Sequence, residues 1–228
     1  MQDGGGHTLK AFDEDIGRLR GLIVRMGERA ETAIGEAMRC LIERDSKGAL
    51  AVVEGDSEID ALESEAERRV VRLIALRAPM ADDLRDVVAA LKIAGVVERI
   101  GDYAKNIARR VPSIDGNRIE PLSMLPEMAR VAATMVHDAL AAFAERDPAK
   151  ARLVCQRDQV VDDYYDAIFR ALLTYMMEDP QNITPAAHLL FVARNLERVG
   201  DHATNIAEMV HFAATGAHIA ERSRGSGT

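Results

Sequence analysis

Acidic side chains recur in pairs, four residues apart, at four places in the chain. The pairs are Asp56 with Asp60, Glu98 with Asp102, Asp158 with Asp162, and Glu197 with Asp201. A spacing of four is about one turn of an α-helix, so each pair places two carboxylates on one side of a helix. Like charges at this spacing repel each other, and a hard multivalent cation relieves the repulsion because it prefers oxygen ligands. The pairs therefore predict an acidic patch that holds metal ions.

The two later pairs repeat the two earlier ones. Residues 98–108 and 197–207 are identical at eight of eleven positions, including Glu, Arg, Gly, Asp and Asn. Chance similarity between amphipathic helices would reproduce the apolar positions but not this set of polar ones. The chain therefore contains an internal repeat.

Two further residue types accompany each Glu/Asp pair. Asn106 and Asn205 lie one turn beyond the second acid and extend the same row of oxygen ligands. Gly101 and Gly200 lie between the two acids, where glycine costs a helix about 1 kcal/mol relative to alanine. The same cost in both copies indicates close backbone approach or room for a site.

The elements that position these residues are long helices. Apolar residues at spacings of three and four predict six of them, over about 9–43, 47–77, 82–111, 127–145, 148–177 and 185–213. Short turns within each half favour antiparallel neighbours. We predict an all-α fold, a tandem repeat of two antiparallel three-helix bundles that could share one elongated core. The predicted units are a first repeat at 9–112, a linker at 113–126, a second repeat at 127–214 and a mobile tail at 215–228.

Composition excludes several classes of protein. Only 4% of the 228 residues are aromatic, which is unusual for β-sandwiches and barrels. With 29 Lys+Arg against 37 Asp+Glu, the net charge is −8, and no basic run suits a nucleic-acid partner. No apolar run is long enough to span a membrane, and the first residues lack the layout of a signal peptide. We expect a cytoplasmic protein that binds no nucleic acid.

Other interpretations of the acidic pairs stay open. A single pair is most often a solvated helix face, and Arg99 and Arg198 could neutralise the acids without metal. A metal-free helical scaffold could instead use the patch to bind a basic partner. Four pairs at repeat-equivalent positions favour a functional patch.

An enzyme is a further alternative, a helical-bundle di-metal carboxylate oxidoreductase. Such sites use Glu-x-x-His motifs that face the bundle interior. Only Glu208 and His211 have this spacing here, and the first copy has no counterpart. The paired acids also point away from the apolar seam of their own helices. We therefore predict that the chain is not an enzyme.

The motifs resemble those of the PhoU family of phosphate-transport regulators. The resemblance rests on the doubled Glu-Arg-Ile/Val-Gly-Asp block, the Asp-x-x-x-Asp pair one helix earlier in each half, and residues 173–179, and it extends over about 9–213. It implies a pair of three-helix bundles and bound metal ions, with iron, zinc, manganese or magnesium as candidates. By position the implied ligands are Asp56, Asp60, Glu98, Asp102, Asp158, Asp162, Glu197 and Asp201, with Asn106 and Asn205 as accessory ligands.

The resemblance also implies a role and partners. PhoU-like proteins are cytoplasmic and often dimeric. They act with the ATPase subunit of the phosphate ABC transporter and a sensor histidine kinase to repress phosphate-starvation genes when phosphate is plentiful. The implied protein is therefore a homodimeric regulator that its partners recruit to the inner face of the membrane. The sequence itself contains no nucleophile constellation, phosphate-binding glycine loop or cofactor motif.

Overall fold

The computed structural model describes residues 4–114 and 123–219, and this part of the chain contains helices and no strand. The six helices are α1 (Gly4–Glu43), α2 (Ser46–Arg77), α3 (Ala81–Ala108), α4 (Leu125–Glu145), α5 (Pro148–Glu178) and α6 (Ile183–Thr215). The predicted all-α fold with six long helices is confirmed. Helix α1 begins five residues before its predicted start. Residues 115–122 of the predicted linker and 220–228 of the predicted tail lie outside the described residues.

The turns inside the two halves have the same local design. Arg44 and Arg146 adopt the left-handed conformation, with φ of 57° and 54°. The next residue in each turn is an aspartate that caps the following helix, because its carboxylate accepts a hydrogen bond from a backbone N–H in the first turn. Asp45 caps α2 and Asp147 caps α5 in this way. The internal repeat is therefore visible in the capping chemistry as well as in the sequence.

The helices pack as two three-helix bundles that share a core. Helix α2 packs on α1 and α3, while α5 packs on α4 and α6. The two bundles meet where α1 packs on α4 and α3 packs on α6. One hydrophobic cluster runs through all six helices, so burial of apolar surface stabilises both halves together. The prediction of a shared core is correct.

Helices α3 and α6 run antiparallel across the boundary between the bundles. The Arg110 guanidinium, beyond the C-terminal end of α3, lies 4.0 Å from the ring centre of Phe191 in the first half of α6. Tyr103 contacts His202 further back along α3. Residue numbers therefore rise along one helix as they fall along the other. The two repeats are therefore related by an approximate two-fold rotation about an axis at this boundary.

Helices α1 and α4 approach each other closely at Gly27. A Cβ atom at this position would lie 1.9 Å from Cδ1 of Leu140, which is buried in the shared core. Any side chain at Gly27 would therefore collide with the Leu140 side chain of α4, which would have to shift within a close-packed core. Glycine at this point allows the two bundles to share one core.

A buried carboxylate that was not predicted from the sequence adds an ionic contact between the two bundles. Asp86 near the start of α3 is 6% exposed and accepts hydrogen bonds from Arg20 of α1 at 2.5 Å and from Arg146 at 3.0 Å. Burial raises the pKa of the Asp86 carboxyl, and the two guanidinium charges oppose that effect. This cluster joins α1, α3 and the turn between α4 and α5.

Candidate metal centre

The first-repeat carboxylates converge between α2 and α3, as their spacing predicts. Lys105 of α3 forms salt bridges with Asp56 of α2 and with Asp102 of its own helix. The carboxyl group of Glu98 is close enough to Asp60 of α2 for that charge to act on it. Asp56 lies deeper than the sequence predicts, because the paired acids were expected to point away from the apolar seam and only 6% of its surface is exposed. The first carboxylate set therefore forms one electrostatic cluster.

Glu98 is the most strongly perturbed acid of this cluster. Burial raises its pKa to about 7, and the negative charges of Asp102, Glu63 and Asp60 add to the effect. A raised pKa means that the ionised form of Glu98 lacks sufficient compensation in this environment. Glu63 was not among the predicted residues, although it lies three residues after Asp60 and so on the same side of α2.

Lys105 provides a positive charge beside Asp56 and Asp102, two other acids of the first cluster. Its ammonium group donates a hydrogen bond of 2.8 Å to Oδ1 of Asp102 and another to Oδ2 of Asp56. The hydrogen bonds with Asp102 and Asp56 raise the pKa of Lys105 to about 12. Lys105 was not among the residues predicted from the sequence. The sequence does mark this position as a difference between the repeats, because the residue equivalent to Lys105 in the second repeat is Thr204.

The second-repeat acids lie between α5 and α6 and are arranged differently. Arg194 donates a hydrogen bond to Oε1 of Glu197, whereas Oε2 of Glu197 is buried without a hydrogen-bond partner. Burial raises the pKa of Glu197, and the charges of Asp201 and Asp162 raise it further, whereas the charges of Arg194 and Arg198 oppose the shift. The hydroxyl Oγ1 of Thr204 is also buried without a partner. Two buried oxygen atoms of this cluster therefore lack the partner that buried polar atoms normally have.

The remaining predicted ligands differ in exposure. Asp158 and Asp162 on α5 and Asn106 on α3 are half-buried, whereas Asn205 on α6 is exposed. Within residues 4–114 and 123–219, no group of three or more His, Cys, Asp or Glu side chains is arranged to hold a metal ion. Metal binding at either set therefore requires side chains to reorient, and the ligand set stays a prediction.

The glycines between the paired acids serve helix packing. A Cβ at Gly101 would lie 2.8 Å from Cδ1 of Ile59 and 3.3 Å from Oδ1 of Asp56. A Cβ at Gly200 would lie 3.3 Å from Cγ1 of Val161. The predicted close backbone approach is therefore confirmed in both repeats. It brings α2 against α3 and α5 against α6 at the level of the carboxylates.

The Glu-x-x-His motif considered for an oxidoreductase does not form a ligand pair. Glu208 is exposed, whereas His211 is buried. Nδ1 of His211 lies 3.0 Å from the carbonyl oxygen of Ala217, a hydrogen bond that holds the ring against the end of α6. The two side chains therefore occupy different environments and do not face the bundle interior together.

The fold and the carboxylate rows define a class of helical-repeat proteins in which each bundle presents acids from two neighbouring helices. The sequence matches the PhoU domain family twice, over residues 23–111 and 125–210. The chain belongs to the PhoU family. The two matches fall on the two three-helix bundles.

Known relatives agree with this assignment along nearly their whole length. The chain is 56% identical over 221 residues to a phosphate-specific transport system accessory protein PhoU homolog of Zymomonas mobilis, covering 96% of this chain and 93% of the relative. PhoU from Pseudomonas aeruginosa has a similar crystal structure, with a TM-score of 0.86 and 36% identity over 90% of this chain and 100% of the other. The phosphate transport system regulatory protein PhoU from Streptococcus pneumoniae gives a TM-score of 0.85 at 27% identity, covering 91% and 99%.

Proposed function

We propose that this protein is a cytoplasmic, metal-binding negative regulator of phosphate-starvation signalling. It couples the ATPase subunit of the phosphate ABC transporter to a sensor histidine kinase, as a homodimer recruited to the inner face of the membrane. The proposal is supported by the names of the relatives, which describe a phosphate transport accessory protein and a regulatory protein. No helix in the described residues is long and apolar enough to cross a membrane.

The observation that supports metal binding most directly is Oε2 of Glu197, which is buried without a hydrogen-bond partner in the second repeat. Oε2 of Glu197 and Oγ1 of Thr204 are buried without hydrogen bonds, and the charges of Asp201 and Asp162 act on Glu197. Carboxylate and hydroxyl oxygens suit hard cations such as Mg²⁺ and Mn²⁺. A bound cation would neutralise the clustered negative charge and supply a positive centre for an anion. Asp158 and Asn205 complete the proposed second set.

Metal analysis tests this proposal. We expect the purified protein to retain Mn²⁺ after equilibrium dialysis, and a variant with Glu98, Asp102, Glu197 and Asp201 changed to Ala to lose it. The matched control changes four exposed acids outside both sets to Ala, namely Glu28, Glu54, Asp163 and Asp166. The control removes the same number of charges, so it separates ligand loss from a change in net charge. Equal Mn²⁺ binding by the two variants would contradict metal binding through these motifs.

Partner recovery tests the regulatory part of the proposal. The tagged full-length chain is purified from phosphate-replete and phosphate-starved cells, and the bound proteins are identified. We expect the transporter ATPase subunit and a histidine kinase to be recovered, in amounts that depend on the phosphate supply. Recovery of neither protein under either condition would contradict the proposal.

A metal-free scaffold is the second candidate function, and Lys105 is the observation that favours it. The ammonium group already bonds both Asp56 and Asp102 and offsets one of their two negative charges without a metal ion. If the EDTA-treated protein keeps its thermal stability and its partner binding, the scaffold is preferred. Because a ligand that binds only the folded state stabilises it, a metal-dependent rise in Tm would favour the regulator that binds metal.

A further inference from the structure

The C-terminal half of α2 is basic, although the chain as a whole has a net charge of −8. Between Glu67 and Asp82 the sequence contains no acid and four arginines, Arg68, Arg69, Arg72 and Arg77. Like charges at spacings of three and four on one helix repel each other, so this arrangement does not stabilise the helix itself. It suits a ligand of opposite charge.

The second repeat shows that the bundle does not need these arginines. The repeat offset of 102 residues, which places Asp56 on Asp158, puts uncharged or acidic residues at three of the four positions, namely Ala171, Thr174 and Asp179. The apolar positions of the two helices are kept, because Val70 and Leu172 are equivalent and both are buried. Packing of α2 therefore depends on its apolar stripe and not on the arginines.

A cleft between α1 and α2 brings the basic side chains together. It has a volume of about 460 Å³ and is lined by four arginines, one carboxylate and two leucines. The arginines are Arg18 of α1 and Arg69, Arg72 and Arg77 of α2. Sites for small organic molecules have volumes of about 300–1,000 Å³, so the cleft has room for such a ligand.

One carboxylate serves two of the guanidinium groups. Oδ2 of Asp15 accepts hydrogen bonds of 2.9 and 3.1 Å from Arg77, and Oδ1 of Asp15 lies 3.7 Å from Arg18. Arg18 also lies 3.6 Å from Glu14, and these two side chains are 67% and 57% exposed. Exposed ion pairs of this kind are weak, because water screens them. Arg18 is therefore available to a bound anion.

Arg72 leaves the cleft with an excess of positive charge. It is exposed and forms no ion pair or side-chain hydrogen bond with the residues that the structure describes. Arg69, one turn before it, pairs with Glu65 of the same helix, and these side chains are 40% and 39% exposed. The cleft and its rim thus hold four guanidinium groups and three carboxylates. Phosphate suits this excess, because it carries up to two charges and accepts paired hydrogen bonds from guanidinium groups.

The cleft also has an apolar wall. Leu73 and Leu76 line it, and they are 4% and 62% exposed. Inorganic phosphate would leave the Leu76 side chain in water, whereas an apolar group attached to the phosphate would cover it and gain free energy by burial. The lining therefore fits a phosphate ester better than the free ion.

We propose that this arginine cleft binds a phosphate ester that has an apolar portion. The phosphate accepts hydrogen bonds from Arg69 and Arg72 of α2 and from Arg18 of α1, while the apolar portion covers Leu76. Soluble nucleotides and anionic phospholipid headgroups share this chemistry. None of the lining residues belongs to either carboxylate set, so the inference goes beyond the proposed function and does not depend on metal binding.

Two binding measurements on the full chain test the inference and distinguish the two sources. Isothermal titration calorimetry with ATP represents the soluble ester, and flotation with vesicles of phosphatidylcholine and phosphatidylglycerol in equal parts represents the lipid. Both use EDTA and low salt, which removes metal ions and limits screening of the arginines. We expect the wild type to bind at least one probe, and inorganic phosphate to bind more weakly than ATP.

Substitutions locate the binding in the cleft. Arg69→Gln combined with Arg72→Gln should weaken binding by at least about tenfold, because two charged hydrogen-bond donors are lost. The matched control, Arg152→Gln combined with Arg170→Gln, removes two exposed arginines of α5 and should leave binding unchanged. Leu76→Ser should weaken binding of the ester and not that of inorganic phosphate. Circular dichroism and gel filtration select the variants that keep the wild-type fold.

The outcomes separate this inference from the proposed function. Binding of ATP or of the vesicles that is lost in the cleft variant and kept in the control supports the inference and identifies the source of the ester. Binding of neither probe, or equal binding by the cleft and control variants, would overturn it. Tighter binding of citrate than of either ester would also overturn it, because the cleft would then favour carboxylates. Since all arms contain EDTA, none of these results affects the proposed metal binding.

Discussion

Tyr103 and His202 occupy equivalent positions in the two repeats and contact each other across the boundary between the bundles. Their ring centres are 5.2 Å apart at an angle of 75°, and the Tyr103 hydroxyl lies 3.4 Å from Nε2 of His202. Two equivalent residues can meet only near the axis that relates the repeats, so the approximate two-fold axis passes between them. The edge-on geometry is favourable for a pair of aromatic rings.

His202 should make stability sensitive to mild acid. Burial lowers its pKa from 6.5, and the charges of Arg99 and Arg198 act in the same direction. As the pH falls below about 6.5, the unfolded chain takes up a proton that the folded chain resists, so the free energy of unfolding decreases. Urea denaturation in EDTA at pH values from about 7 to 5 should show a smaller decrease for His202→Phe than for the wild type. Parallel pH profiles would contradict this expectation.

Glu98 should act in the opposite direction. Its folded pKa of about 7 lies above the value of 4.5 for a free side chain. The unfolded chain therefore loses this proton first as the pH rises, and stability falls between about pH 4.5 and 7. In EDTA at pH 8, Glu98→Gln should raise the free energy of unfolding by roughly 1 kcal/mol, a value reduced for solvent screening. Little difference is expected at pH 4.

An exposed acid provides the control for Glu98. Glu54→Gln removes the same charge from a solvated position on α2. It should change stability by less than about 0.5 kcal/mol across this range. If Glu54→Gln and Glu98→Gln have the same pH profile, the effect belongs to net charge and not to the carboxylate cluster.

Gly27 should not tolerate a methyl group. Ala at this position would place Cβ 1.9 Å from Leu140, whose side chain is 3% exposed. Overpacking of this kind costs about 1–3 kcal/mol, which exceeds the gain of about 1 kcal/mol in helix propensity. Gly17→Ala in the same helix, with no atom within 4 Å, should instead stabilise the protein. Urea denaturation compares the two, and equal stabilisation would contradict the close packing of α1 on α4.

Asp86 should matter more for stability than a surface acid. Asp86→Ala leaves two guanidinium groups without their shared partner and should lower the free energy of unfolding by about 3 kcal/mol. Asp82→Ala removes an acid of α3 whose side chain is 71% exposed in its pair with Arg85, and it should cost less than about 1 kcal/mol. Similar losses for the two variants, measured by urea denaturation, would show that burial of Asp86 has no energetic consequence.

Local sequence patterns were sufficient to predict the helices and the internal repeat. The three-four spacing of apolar residues locates each helix because the buried stripe of an amphipathic helix has that period. The Arg-Asp turns at Arg44 and Arg146 and the doubled block around Glu98 and Glu197 then relate the halves. These patterns involve residues that are close together in the sequence, and each of them corresponds to a feature of the packed helices.

Contacts between distant residues could not be predicted in the same way. Lys105 reaches Asp56 across 49 positions of sequence, and Arg20 reaches Asp86 across 66. A lysine or an arginine on a helix is usually a solvated charge, so its type alone does not indicate a buried partner. The rotation of each helix about its own axis determines these pairs, and it depends on the whole core.

Anomalous diffraction from crystals of the full chain soaked in Mn²⁺ would test the central claim most directly. The claim is that the clustered carboxylates bind metal ions. We predict anomalous density at coordination distance from carboxylate oxygens of the paired acids, including Oε2 of Glu197. Absence of density at both carboxylate sets would contradict it.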